Sequence, residues 1–434
     1  MALETRGHPA EELPAAVNNR SLFSDYYLAE LVWDDPFFQE SKRAAEPVWR
    51  AIKDLYERVK GELPTANEAR TEQLFIHPVL DLLGHRDSYA VQPPVDSPEG
   101  TRRPDFAFFA SREDREAAAS STGRREYFTK ALAVGDAKQW DRSLDRKRKG
   151  AGDAFTNANP SYQIDYYLRA TDRKWGLLTN GRRWRLYHRD SSYRTDVFYE
   201  VDLVALLNSC DKTFAYFYAF FQKDALATGF LDRALAGSRE YAAKLGDELK
   251  ENVYEALRLL AEGLLKYPDN HLDADQLDEI RANTFVLIYR ILFLFYAEDR
   301  ELLPMHNPVY RDSYSLRVWA REIANQLDEG RSFSPTAYNG WHTLNELFRI
   351  VNEGDAYLGV PPYNGGLFDP EKHPLLVRWK IGDQHLALAI DKLARAEASG
   401  RTGRGPVSYR DLDIRHLGSI YEGLLEHRLR QAHE

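Results

Sequence analysis

The chain has a single cysteine, Cys210, in 434 residues. One thiol cannot close an internal disulfide or build a multi-cysteine zinc site, and it fits a reducing compartment. The twelve histidines show no H-x-x-x-H spacing and there is no C-x-x-C, which argues against a structural metal. A long apolar run is also missing. The most apolar stretch, NTFVLIYRILFLFYAED, is broken by Arg290 and falls short of the roughly 18 residues needed to span a bilayer. The opening MALETRGHPAEELPAAVNN carries early acids and no apolar centre, unlike a secretory signal. The protein is therefore expected to be cytoplasmic, with no membrane partner. Excess positive charge is absent too: a net charge of −9 excludes a wholly basic nucleic-acid coat protein and leaves room only for a local basic patch. No segment repeats at a fixed period.

What is present is the composition of a folded protein, 43% hydrophobic and 29% charged, long enough for two or three domains. The first twenty residues read as a mobile tail. Apolar spacings of three and four from Leu22 to Lys60 predict amphipathic helices. A further helix is predicted in GELPTANEARTEQLFIHPVLDLLG, with Thr65 or Asn67 as N-cap and Gly84 as its stop. Glu68 and Glu72, one turn apart, share a face of it; the ordinary role for such a pair is to complement the helix dipole.

The centre of the chain, Arg102 to Lys138, holds two short apolar strands with an acid at one end of each. Pro104-Asp105 precedes FAFFA, and Asp136-x-Lys138 follows ALAV. Residues i and i+2 of a strand share a face, so Asp136 and Lys138 project together. Two carboxylates on neighbouring strands can hold a hard divalent cation, and an adjacent ammonium can orient or deprotonate a water. A lone D-x-K is far more often a solvated pair at a sheet rim, so the neighbours decide. The next segment, DRSLDRKRKG, carries Arg142, Arg146, Lys147, Arg148 and Lys149 against Asp141 and Asp145. Such a run is either a solvated loop or a grip on backbone phosphates.

Asn159-Pro160 predicts the N-cap and first position of a helix through Ala170 that puts Gln163 and Tyr167 on one face. WGLLT and RWRLYHR then read as strands joined at Asn180-Gly181, a strong two-residue hairpin signal. Helix and strand alternate, which predicts a mixed α/β layer. From Asp202 onward long helical patterns dominate, punctuated by Pro268, Pro304 and Gly330. VPPY, within VPPYNGGLFD, differs from the NPPY tetrad of amino-methyltransferases: Val360 stands where an amine-accepting asparagine is required, and no glycine-rich cofactor loop precedes it. ASGRTGRGP reads as a linker and YRDLDIRHLGSIYEGLLEHRLRQAHE as a terminal helix.

Taken together, Glu68, Pro104-Asp105, Asp136-x-Lys138 and Gln163-x-x-x-Tyr167 resemble the PD-(D/E)xK nuclease superfamily in its Q-x-x-x-Y variant. WGLLTNGRRWRLY, LFLFYAEDRELLP, YNGGLFD and HLGSIYEGLLEHRL extend the resemblance, over roughly residues 20 to 434, to the N-terminal half of type IIG-like restriction-modification and phage-defence enzymes. The resemblance implies an N-terminal tail and helices to residue 60, a nuclease α/β core over 61–206 (mixed sheet flanked by helices), a mostly α-helical connector over 207–397, and a linker with terminal helix over 398–434. It implies Mg²⁺-dependent endonuclease chemistry on double-stranded DNA, with Mn²⁺ as substitute. Asp105, Asp136 and Glu68 would be metal ligands, with Glu72 in reserve for Glu68. Lys138 would position water or steady the phosphorane, and Gln163 and Tyr167 would abut the DNA backbone. No methyltransferase or helicase motif is present, so the chain is expected to be part of a longer enzyme or a nuclease whose methyltransferase or specificity partner is a separate chain. A catalytically silent DNA-binding scaffold is the alternative. The motif does not distinguish DNA from RNA, and cutting both strands with one site calls for two chains or two successive nicks.

Overall fold

The apolar runs next to Asp105 and Asp136 become adjacent strands of one mixed sheet. The computed structural model describes residues 13–93, 102–121, 124–140, 142–147, 159–209, 211–363, 365–397 and 404–412, with Gly418 and Glu422 in addition. The chain divides into two units, 1–240 and 241–434.

In the first unit, seven strands are found among the described residues: β1 Val17–Arg20, β2 Tyr89–Val91, β3 Phe106–Phe108, β4 Ala133–Ala137, β5 Trp175–Thr179, β6 Arg183–His188 and β7 Phe198–Asp202, in the order β1-β7-β6-β5-β4-β3-β2. Only β4 and β5 run parallel. They are joined by a crossover that contains the helix Pro160–Thr171, as a parallel pair requires. All five residues of β4 are buried, because helices cover both faces of the sheet.

Alternation along the strands sorts the side chains. Phe106, Phe108, Ala133 and Ala137 join the larger core, together with Phe38, Ile52, Phe75, Ile76 and Val79 from the preceding helices. Ala107, Val134 and Leu178 join the opposite core, against Ile164, Tyr167 and Leu168 of Pro160–Thr171. Asp105 and Asp136 are in phase with Ala107 and Val134, so the pleat assigns both acids to the face of that helix. Gly135 lets the sheet close here: a Cβ on it would sit 2.9 Å from the Phe108 ring.

Three expectations change. Residues 17–20 are an edge strand paired antiparallel with β7 rather than a tail, while residues 1–12 lie outside the described residues. The N-terminal helix Pro36–Val59 packs into the larger sheet core, so it is no separate preface. The unit boundary falls after residue 240 rather than after 206, because Tyr216, Phe217, Phe220, Phe221 and Phe230 complete that same core. Most of the expected terminal helix lies outside the described residues.

The second unit is mostly helical. Its main helices include Leu277–Asp299, Leu316–Asp328, Asn339–Glu353 and Asp383–Ala394. Leu277–Asp299 is long and apolar enough to cross a membrane by length and composition, yet 67% of its most apolar window is buried inside the protein, and it carries buried Arg290 and Glu298. The Glu298 carboxylate accepts from Tyr310 Oη (2.9 Å), Ser315 Oγ (3.0 Å), Leu316 N (2.8 Å) and Arg317 N (2.8 Å). It thereby caps Leu316–Asp328, whose first N–H groups have no partner within the helix.

Candidate active site

The register of β3 against β4 pairs Phe106 with Gly135, so Asp105 and Asp136, one step further along each strand, face each other across the ladder. The Asp105 carboxylate crosses the gap and accepts from Ala137 N at 2.7 Å. Lys138 leaves the end of β4 held by its own N–H to the Thr179 carbonyl of β5 at 2.8 Å. Its Nζ lies 2.5 Å from Asp136 Oδ2, and both side chains are nearly sealed from solvent, Asp136 at 2% and Lys138 at 6% exposure. Even so, Asp136 Oδ2 has no partner in hydrogen-bond geometry, so the pair is held by charge more than by a well-aligned bond.

The helical acids approach from 68–82. Asn67 caps this segment by accepting from Arg70 N at 2.8 Å, which selects Asn67 over Thr65. The helix is not regular. Glu68–Thr71 is α-helical, Glu72–Ile76 is a π turn, and His77–Leu82 returns to α. Pro78 explains the break: it lacks an N–H and its ring would collide with the Leu74 carbonyl in a regular helix. Instead the His77 N–H reaches back five residues to the Glu72 carbonyl. Both acids reach the site. Glu68 lies in the field of Lys138 and Asp136, while Glu72 acts on Asp105 and has His77 Nε2 3.6 Å away. His77 in turn meets the Tyr89 hydroxyl at 2.9 Å.

Three carboxylates acting on one ammonium, those of Asp136, Asp105 and Glu68, set the electrostatics. Burial and then the neighbouring Asp136 push the Asp105 carboxyl well above its ordinary range. Burial likewise raises Glu68, with Lys138 opposing it and Asp136 adding to it. Burial alone would lower Lys138, but Asp136, Asp105 and Glu68 override it and hold the amine in its charged form. Lys138 is thus a fixed cation at neutral pH rather than a base.

Helix Pro160–Thr171 closes the other side. Gln163 and Tyr167, one turn apart, are both buried, and the Tyr167 hydroxyl is held protonated by burial and by Asp136 and Asp105. Arg102, whose guanidinium sits 5.5 Å from the Tyr166 ring, also acts on Tyr167. In the basic segment, Arg142 is half-buried and its charge reaches Glu68. Arg146 and Lys147 are exposed, and Arg148 and Lys149 lie outside the described residues. The segment is anchored through Asp145, which takes a two-pronged contact from Arg185, Nη1 at 2.6 Å and Nη2 at 2.9 Å. Arg185 is 1% exposed and also bonds Glu200 Oε2 at 2.5 Å. Ser161 Oγ ties the same segment to the start of the helix through the Leu144 carbonyl at 2.9 Å.

Glu68, Glu72, Asp105, Asp136, Lys138, Arg142 and Tyr167 therefore act on one another at one end of the β3-β4 pair, while Gln163 is buried one turn from Tyr167 and Arg146 and Lys147 are exposed. Arg102, His77 and the Arg185–Asp145 anchor were missed; only Arg102, next to Pro104-Asp105, left a local signal. The hairpin also differs from expectation. Its loop is Asn180 to Arg182, only Gly181 has positive φ (+83°), and a Cβ there would press on the Trp140 ring at 2.9 Å. The Asn180 side chain instead bridges Arg183 N (2.8 Å) and the Arg142 carbonyl (3.0 Å).

Among the described residues no three His, Cys, Asp or Glu side chains are drawn close enough to hold a metal ion by themselves. The donor set nevertheless suits a hard cation. Asp105 and Asp136 offer carboxylate oxygens at one point, Asp136 Oδ2 lacks an aligned donor, and the acids outnumber Lys138. Mg²⁺ is commonly held by one or two carboxylates with water completing its shell. No family model, curated protein or solved structure matches the chain.

Proposed function

We propose that the first unit is an Mg²⁺-dependent endonuclease of the PD-(D/E)xK type acting on double-stranded DNA, in restriction-modification or phage defence, with a methyltransferase or specificity partner and a cytoplasmic location. One observation carries the reading: Asp105 and Asp136 face each other across two strands with Lys138 at 2.5 Å from Asp136 and Glu68 in their field. When bound by Asp105 and Asp136, Mg²⁺ or Mn²⁺ would polarise the scissile phosphate and acidify the attacking water. The remaining work falls to the protein. Glu68, whose proton affinity is raised by burial, is suited to take the proton that water loses as its oxygen attacks phosphorus. Lys138, fixed as a cation, steadies the added negative charge as the P–O bond to the leaving strand breaks. Gln163 and Tyr167 border the site as neutral hydrogen-bonding groups for the backbone, and Arg142, Arg146 and Lys147 flank it with positive charge.

The test is plasmid cleavage with Mg²⁺ by the wild type, Asp136→Asn and Lys138→Met, alongside melting curves. Loss of cleavage in folded variants supports the reading; full cleavage by either variant in a nuclease-free preparation overturns it.

A second reading has its own support. The Lys138 ammonium already rests on Asp136, and a buried pair of this kind can serve binding without catalysis. A silent DNA-binding scaffold would bind DNA equally with and without Mg²⁺ or Mn²⁺ and would never nick it.

A further inference from the structure

The second unit contains a cavity of about 410 Å³ lined by Trp341, Asn345, Phe348, Phe368 and Lys380, with Arg290 at its wall. Arg290 comes from the middle of the apolar helix Leu277–Asp299 and is 3% exposed. Its Nε donates to the Leu367 carbonyl at 2.8 Å, and its guanidinium lies 5.1 Å from the Phe348 ring and 5.8 Å from the Phe368 ring. Leu367 and Phe368 belong to YNGGLFD, a motif the nuclease chemistry does not use. Nη2 is buried with no hydrogen-bond partner, and among the described residues no carboxylate forms an ion pair with Arg290.

The other charges on the wall are already matched. Arg349 contacts Glu346 at 2.6 Å and Glu353 at 2.7 Å, and Lys380 lies 3.5 Å from Asp269. Burial draws Arg290 down to about 10, with Asp369 opposing at longer range, so it remains charged at neutral pH. A buried, uncompensated guanidinium is among the most expensive groups a fold can keep. It is also the side chain best shaped to grip a phosphate or carboxylate through two parallel N–H bonds.

We propose that this cavity is a binding site for a small anion of the nucleoside monophosphate class. Arg290 supplies the positive charge for the phosphate, the Trp341, Phe348 and Phe368 rings supply apolar surface for a flat base, and the amide of Asn345, one N–H of which is spent on the Trp341 carbonyl at 2.9 Å, offers its other N–H and its carbonyl to the base edge. A volume of about 410 Å³ lies within the range of ordinary small-ligand sites.

Calorimetric titration of the whole chain with AMP, adenosine and inorganic phosphate tests this. AMP should bind, with adenosine and inorganic phosphate each at least roughly tenfold weaker, the loss expected when a charge-assisted contact or a packed ring is removed. Arg290→Met should weaken AMP to the level of adenosine. Val377→Trp, at a rim position 64% exposed and away from the core, should block entry without lowering the melting temperature. If AMP fails to bind at millimolar concentration, if inorganic phosphate binds as tightly, or if both variants bind AMP like the wild type, the proposal falls.

Discussion

Asp136 in the first unit and Glu298 in the second are equally buried, each 2% exposed, yet they are treated in opposite ways. Glu298 receives four donors, two hydroxyls and two backbone N–H groups, and the fold spends it on capping a helix. Asp136 receives one ammonium at poor angle and faces other acids rather than donors. A carboxylate surrounded by donors has its acceptor capacity filled; on the proposed reading, one that faces acids instead keeps an oxygen for an arriving cation. Burial alone does not separate these two acids, whereas the supply of donors does.

The comparison can be broken most sharply at Asp136 itself. Asp136→Asn should reduce DNA cleavage by about 100- to 1,000-fold or more, with a smaller loss of stability than at Glu298 because Asp105 and Glu68 still face the Lys138 ammonium. Glu298→Ala should do the reverse. It strands four buried donors and should cost about 3 kcal/mol in denaturant unfolding, with the loss in the helical unit.

A smaller effect comes from Asp105. Its raised proton affinity means the folded state holds a proton that the unfolded chain releases, so this contribution is full below the ordinary carboxylate range and fades as pH rises through the raised value. Asp105→Asn removes that penalty. In the absence of Mg²⁺ it should melt roughly 2–4 °C above the wild type at pH 7, and the two curves should converge toward acid. Adding Mg²⁺ should raise the wild-type melting temperature and leave the variant unmoved. Convergence at pH 7 instead would show that the fold compensates the Asp105 charge without a metal ion. The smallest effect belongs to the exposed cations: Arg146→Ala with Lys147→Ala should weaken DNA binding a few-fold and reduce the salt slope by about 2, without altering the chemistry.

What was legible follows from distance along the chain. Asp136 and Lys138 are two apart on a strand, and Gln163 and Tyr167 four apart on a helix, so local periodicity alone placed each pair on one face. Asn159-Pro160 announced its helix and Gly84 ended another. The facing of Asp105 and Asp136 needed strand register, which the alternating runs allowed but did not dictate. Arg185 and Asp145 are forty residues apart and looked like members of two unrelated charged segments. The boundary after residue 240 was hidden because the aromatic helices just before it, around Phe217 and Phe221, have the same texture as the helices beyond. The choice between Glu68 and Glu72 had no answer in a regular helix, because the segment is not one: the π turn begins at Glu72.

That turn separates two jobs along one rod. Downstream of it, Val79, Leu80 and Leu83 are phased for packing; upstream, Glu68 is phased for the charged cluster. An extra residue in a turn advances the angular phase by about 100°, so the two halves are set independently. Deleting one residue between Glu72 and Ile76 would leave the packing stripe seated and swing Glu68 away from Lys138. The bulge is in effect a dial for the acid, and changes of length there, rather than of side chain, are the ones that would retune or silence the site while leaving the fold standing.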